Sequence, residues 1–131
     1  MQVGDVLETC LYAVDLHAAE QFYTKVLGLE LLSKTPGRHV FFRCGRGVFL
    51  VFDPRATSVP GFPPHGAKGP GHVAFRVPES DLERWRNHLL GSGVDIEAEI
   101  DWPRGGHSIY FRDPAGNSVE LASPAVWGLE E

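Results

Sequence analysis

The sequence predicts an α+β protein built from a strand–helix–strand–strand–strand module that is used twice. Three observations predict it. The same order of elements runs through residues 5–53 and again through residues 71–123. Short segments alternate apolar and polar residues with the period of two that a half-buried strand requires, while two longer segments carry an apolar stripe at helical spacing. Glycines close both helical segments, and turn-forming residues separate the strands that follow.

In the first copy, residues 6–14 read as a strand that runs into a helix opened by Asp15, whose carboxylate can cap the free amides. Leu16, Ala19, Phe22, Tyr23, Val26 and Leu27 share one stripe of that helix, and Gly28 ends it. Strands follow at 29–33, 39–43 and 47–52, the last two joined by the tight-turn signal Cys44-Gly45-Arg46. In the second copy a strand at 71–77 precedes a helix announced by Ser80 with Glu83, the spacing of a capping box. Leu82, Trp85 and Leu89 form its buried stripe, and Gly91 with Gly93 stops it. Strands then fit 94–100, 108–112 and 117–122, with Asp113-Pro114-Ala115-Gly116 as the final hairpin turn.

Between the copies, residues 54–70 hold five prolines and His65. Either half alone would leave a sheet exposed, so the chain reads as one domain of 131 residues, with this linker crossing the mouth of a cavity. At the C-terminal end, Trp127 and Leu129 are apolar groups suited to docking on the core or on a partner.

Composition narrows the function. A formal net charge of −5 and the absence of a Lys/Arg block argue against nucleic acid, which demands a basic face. No apolar run approaches membrane-spanning length, and no secretory leader pattern precedes the first strand, so the expectation is a cytoplasmic protein with a small-molecule partner. Two cysteines, Cys10 and Cys44, are too few for a disulfide framework and read as small buried hydrophobes.

His72 and Glu120 are the most informative pair. In Gly-His-Val-Ala-Phe-Arg-Val, period two sets His72, Ala74 and Arg76 against Val73, Phe75 and Val77. Glu120 likewise opposes Val119 and Leu121. An imidazole and a carboxylate on the polar face of a sheet suit a divalent cation.

Four segments then resemble the vicinal oxygen chelate superfamily of glyoxalases, bleomycin-resistance proteins and extradiol dioxygenases. They are Glu8-Thr-Cys-Leu-Tyr-Ala-Val-Asp15-Leu, Phe22-Tyr23-Thr-Lys-Val-Leu-Gly28-Leu, Gly71-His72-Val-Ala-Phe, and Tyr110-Phe-Arg-Asp113-Pro114-Ala-Gly116-Asn-Ser-Val-Glu120-Leu. The resemblance implies two βαβββ modules forming an open, curled mixed sheet with helices on the convex face and a metal on the concave face. It also implies the ligand set Glu8, His72 and Glu120. A fourth ligand, found in the glyoxalase lyases, falls at about Leu50 or Val51, both apolar here. One imidazole with two carboxylates favours Mn²⁺, Mg²⁺, Zn²⁺ or Ni²⁺ acting as a Lewis acid over an iron that activates dioxygen.

Around that centre, Tyr12 and His107 are the candidate acid–base groups, and Arg76, His65, Arg104 and Tyr110 the candidate substrate contacts. Arg76 reads equally as part of a structural salt bridge. His17, His39 and His88 read as surface residues. The leading expectation is a metal-dependent isomerase, lyase or group-transfer enzyme acting on vicinal oxygens. A metal-free, bleomycin-resistance-like binding protein and an Fe²⁺ ring-cleaving dioxygenase are the alternatives. By resemblance to the dimeric members, a homodimer is expected.

Overall fold

The computed structural model describes residues 1–131 and has the α+β architecture. The chain falls into two compact units, Met1–Gly69 and Pro70–Glu131, each with one four-stranded mixed sheet that does not close on itself.

In the first unit β1 (Glu8–Tyr12) leads into α1 (Leu16–Gln21), and β2 (Glu30–Thr35), β3 (His39–Cys44) and β4 (Gly47–Phe52) follow. The sheet order is β1-β4-β3-β2, with β4 parallel to β1 and antiparallel to β3. Asp15 caps α1, its Oδ1 accepting from the Ala18 N–H at 3.0 Å. The helix then widens into a π turn over Phe22–Val26, in which the adjacent Phe22 and Tyr23 are both buried. Gly28, at φ 71°, ends it in the left-handed region. The Tyr23 ring meets Phe42 and Phe49 at centroid distances of 5.6 and 4.9 Å, which identifies the packed face of the sheet. Burial of such a ring contributes roughly 1.5–3 kcal/mol, a large share of a domain's net stability.

Three sequence expectations are corrected in this unit. The β3–β4 hairpin is tighter than predicted: Cys44 pairs with Gly47, and only Gly45 and Arg46 form the turn, Gly45 at φ 57° taking the first central position that a type II′ turn reserves for glycine. His39 is not a surface residue. It is 8% exposed, lies flat on Phe41 with centroids 3.7 Å apart, and shares a 2.6 Å hydrogen bond with Arg38 through its Nδ1. Burial, and then the Arg38 charge, holds its pKa below the usual value. Cys10 and Cys44 are free but half-buried rather than buried. After β4, Asp53 caps a short helix, α2 (Pro54–Thr57), through a 2.9 Å bond from the Arg55 N–H, so the 54–70 segment opens with regular structure.

In the second unit β5 (His72–Arg76) is followed by α3 (Leu82–Gly91), β6 (Ile96–Asp101), β7 (His107–Arg112) and β8 (Ser118–Ala122), in sheet order β5-β8-β7-β6 with β5 parallel to β8. Ile109, Phe111, Val119 and Leu121 form the packed face, with Leu82 and Leu89 buried on α3 and Trp85 half-buried. The predicted capping box does not form. Glu79–Asp81 make a 3₁₀ turn, Asp81 takes the cap position without a side-chain bond to a backbone N–H, and Ser80 sits inside the turn, where it cannot serve as the cap. A second 3₁₀ turn, Pro124–Trp127, ends the unit and leaves Trp127 82% exposed. No helix is long and apolar enough to cross a membrane.

Candidate metal centre

Parallel pairing of β5 with β8 sets Ala74 opposite Glu120, one strand repeat along from His72 opposite Ser118. The two side chains therefore share the open face, and His72 Nε2 lies 3.2 Å from Glu120 Oε2. Each has its other polar atom engaged. His72 Nδ1 lies 3.1 Å from the Ser118 carbonyl oxygen, and Glu120 Oε1 accepts a 2.6 Å bond from the Ser108 hydroxyl.

This arrangement has a chemical consequence. A ring nitrogen facing a carbonyl carries the proton, so in the neutral imidazole Nε2 presents its lone pair to a carboxylate oxygen. Two lone pairs at 3.2 Å repel unless a cation lies between them, either a proton or a metal ion. Ligands that each sit about 2.0–2.2 Å from a divalent ion are roughly 3–3.5 Å from one another, so the pair fits one edge of a coordination shell. The engaged Nδ1 and Oε1 are the outer-shell contacts that orient such ligands.

Sequence reasoning missed the supporting roles of three residues, reading Trp102 only as an aromatic wall. Ser108 is fully buried and stands on the same face, two residues before Tyr110, which pairs with Glu120. Trp102 donates its Nε1–H to the Ser108 oxygen at 2.8 Å. Asn117 Oδ1 accepts from the Gly71 N–H at 2.8 Å, while its own Nδ2 donates to Asp113 Oδ2 at 3.0 Å, pinning the start of β5 to the β7–β8 turn. Alternation places Ser108 on the face of Tyr110, but only the β7–β8 register brings that face to Glu120.

The other candidates divide. Tyr110 lies beside His72, ring centroids 6.3 Å apart, and burial followed by the Glu120 charge raises its phenol pKa. Arg76 shares the open face, but its guanidinium donates to the Glu130 carbonyl at 3.1 Å. Arg104 is exposed in the β6–β7 turn. His107 turns to the opposite face: it pairs with Asp101, one residue out of step with Ser108, and both its ring nitrogens meet carboxylates at 2.7 Å, those of Glu99 and Asp101. No third His, Cys, Asp or Glu of this unit joins His72 and Glu120 in a group of three.

In the first unit Glu8 is exposed at the start of β1, on the face it shares with Cys10 and Tyr12. Tyr12 and His65 come together, Oη to Nδ1 at 2.6 Å, with the His65 ring edge-on to Phe52 at 4.9 Å. Burial and the neighbouring Cys10 push the Tyr12 phenol up to about 12, so it remains a hydrogen-bond donor. His65 also lines a groove of about 550 Å³ with Pro54, Arg55, Ser58, Pro64 and Lys68.

The family model for the Glyoxalase/Bleomycin resistance protein/Dioxygenase superfamily matches residues 5–121. The chain belongs to this superfamily. Among solved glyoxalase-superfamily structures, it is similar to a lactoylglutathione lyase from Agrobacterium tumefaciens, with 42% identity, 98% of this chain and 100% of that one covered, and a TM-score of 0.95. It is 34% identical over 129 residues to MhqE of Bacillus subtilis, a protein named as a ring-cleaving dioxygenase, covering 92% of this chain and 41% of the relative. The chain thus spans about two fifths of that relative's length. The metallothiol transferase FosB of Staphylococcus epidermidis is 26% identical, with 92% of this chain and 82% of FosB covered. These glyoxalase-superfamily relatives are named as a lyase, a dioxygenase and a transferase.

Proposed function

We propose that this chain is a divalent-metal-dependent enzyme of the glyoxalase type, acting on a small substrate through two neighbouring oxygens. The observation that carries this reading is the 3.2 Å approach of His72 Nε2 to Glu120 Oε2, two donor atoms held face to face by bonds at their far ends. In the proposal His72 and Glu120 hold the cation, and Glu8, from this chain or a partner copy, is the third donor. When bound, the metal supplies Lewis-acid stabilisation of the negative charge that develops on a substrate oxygen. One imidazole and two carboxylates support Mn²⁺, Mg²⁺, Zn²⁺ or Ni²⁺ over Fe²⁺.

The chain's own groups then bind and orient. Tyr110, kept protonated beside Glu120, hydrogen-bonds that carboxylate and helps to orient it. The Tyr12–His65 pair is the acid–base candidate, and Arg76 and Arg104 supply cationic contacts to an anionic substrate group. His107, with both ring nitrogens engaged, holds the sheet to α3 through Glu99 and Arg86.

Similarity to the lactoylglutathione lyase over its whole length supports the lyase branch. Against it, Leu50, which pairs with Cys10 and so stands on the same face as Glu8, offers no donor atom for a fourth ligand. Identity with MhqE supports a second reading, a ring-cleaving dioxygenase, for which Fe²⁺-dependent oxygen uptake with catechols is the test. A homodimer completes the proposal, and sedimentation at several concentrations checks it.

Metal content after loading and dialysis tests the main reading. Near-stoichiometric metal in the wild type and its loss in His72→Ala support it. Equal content in both rejects it.

A further inference from the structure

We infer that Ser108 and Trp102 are positioning residues for Glu120, forming a one-way hydrogen-bond chain that presents a single carboxylate oxygen to His72. The inference rests on the metal reading above and goes beyond it by assigning residues outside the ligand set.

The direction of the chain follows from what each group can do. The Trp102 indole N–H is a donor only, and it points at the Ser108 oxygen at 2.8 Å. A hydroxyl has one proton. With its oxygen already accepting from Trp102, Ser108 commits that proton to Glu120 Oε1, which lies 2.6 Å away. Oε1 is thereby occupied, and Oε2 is the oxygen left facing His72 Nε2. Ser108 is fully exposure-free and Glu120 is 8% exposed, so water does not readily replace either bond.

The backbone supports the same geometry. Trp102 and Ser108 flank the β6–β7 turn, which is closed by bonds from the Trp102 N–H to the Gly106 carbonyl at 3.1 Å and from the Gly105 N–H to the Trp102 carbonyl at 2.9 Å. The turn is seated in place by the His107 N–H bonding to Ser123 Oγ at 3.1 Å. A rigid turn thus delivers the donor that fixes the carboxylate.

Two measurements test this. In metal-free protein, the Trp102 indole N–H resonance, assigned by loss in Trp102→Phe, reads the chain directly. Glu120→Ala should shift that resonance, because Ser108 then loses the acceptor that commits its proton away from the indole, while Trp85 and Trp127 stay in place. An unmoved Trp102 signal overturns the inference. In the second, Zn²⁺ affinity is measured by chelator competition in wild type, Ser108→Ala, Trp102→Phe and His72→Ala. Loss of an outer-shell partner should weaken Zn²⁺ binding about 10–100-fold in Ser108→Ala, with a smaller loss in Trp102→Phe and the native amide spectrum retained. Unchanged affinity in Ser108→Ala, with binding lost in His72→Ala, overturns this inference and leaves the metal reading standing. Equal binding in all four overturns the metal reading and the role of Ser108 with it.

Discussion

His107 Nε2 lies 2.7 Å from Glu99 Oε1 on the helix side of the second sheet. Asp101 meets the other ring nitrogen at 2.7 Å, and Arg86 of α3 donates to Glu99 at 2.7 Å. Burial disfavours the His107 imidazolium, but the Glu99 and Asp101 hydrogen bonds and charges outweigh it and raise the pKa above 6.5. The Arg86 hydrogen bond holds the Glu99 carboxyl down to about 2, from an ordinary 4.5. The raised histidine gives stability that is fully present below 6.5 and lost as pH rises through its folded value. The lowered carboxylate gives stability present above 4.5 and lost as pH falls toward about 2. The cluster therefore stabilises most in a mildly acidic window. Urea unfolding of wild type should show stability falling from that window into alkaline pH, and His107→Gln should flatten this slope. Identical slopes would remove His107 as the cause.

Asn117 couples the final turn to the strand that bears His72. Asn117→Ala removes the acceptor for the half-buried Gly71 N–H and a donor to the buried Asp113 carboxylate. We expect a loss of about 1–3 kcal/mol in urea unfolding and faster amide exchange at Gly71. Exchange at Gly71 as slow as in wild type would show that β5 is held by other means.

Gly106 is required by contact as well as conformation. A Cβ there would lie 2.5 Å from the Val126 nitrogen, and φ is +82°. Gly106→Ala should cost about 1–3 kcal/mol. Gly105→Ala, at φ +113° with nothing within 4 Å of its Cβ, should cost less because only backbone strain remains. Equal urea midpoints for the two variants would contradict the steric account.

Tyr12 ties the 54–70 segment to β1 through its 2.6 Å bond with His65. With the phenol pushed up to about 12, its ultraviolet phenolate signal should appear only at strongly alkaline pH and vanish in Tyr12→Phe. The same variant should speed amide exchange at His65, whose N–H bonds the Thr57 carbonyl at 2.9 Å. A Tyr12 phenolate near pH 10, the ordinary phenol value, would show that burial and Cys10 do not control this group.

Much of this was legible in the residues. Period two gave the shared face of His72 and Glu120 because one side of each strand is packed, and Asp15 and Gly28 announced their own roles as cap and stop. What escaped has physical reasons. His39 lies on the open face, where a strand pattern predicts exposure, yet the Phe41 ring covers it. Ser80 and Glu83 have capping-box spacing, but the 3₁₀ turn shifts the helix start to Asp81. His107 at the mouth of a glycine turn had no fixed parity until its pairing with Asp101 set it on the helix side. Ser108 was overlooked because a small polar residue in a strand carries no signal without its register to Glu120.

The central claim is that His72 and Glu120 face each other to share a metal ion rather than a proton. Anomalous diffraction from crystals soaked with Mn²⁺ or Zn²⁺, recorded on both sides of the absorption edge, tests it most directly. Metal chelation predicts one anomalous peak bonded to His72 Nε2 and Glu120 Oε2, with the Glu8 carboxylate of the same or a second chain as the third donor. A peak elsewhere, or none at full soak concentration while the two side chains remain in contact, would contradict it.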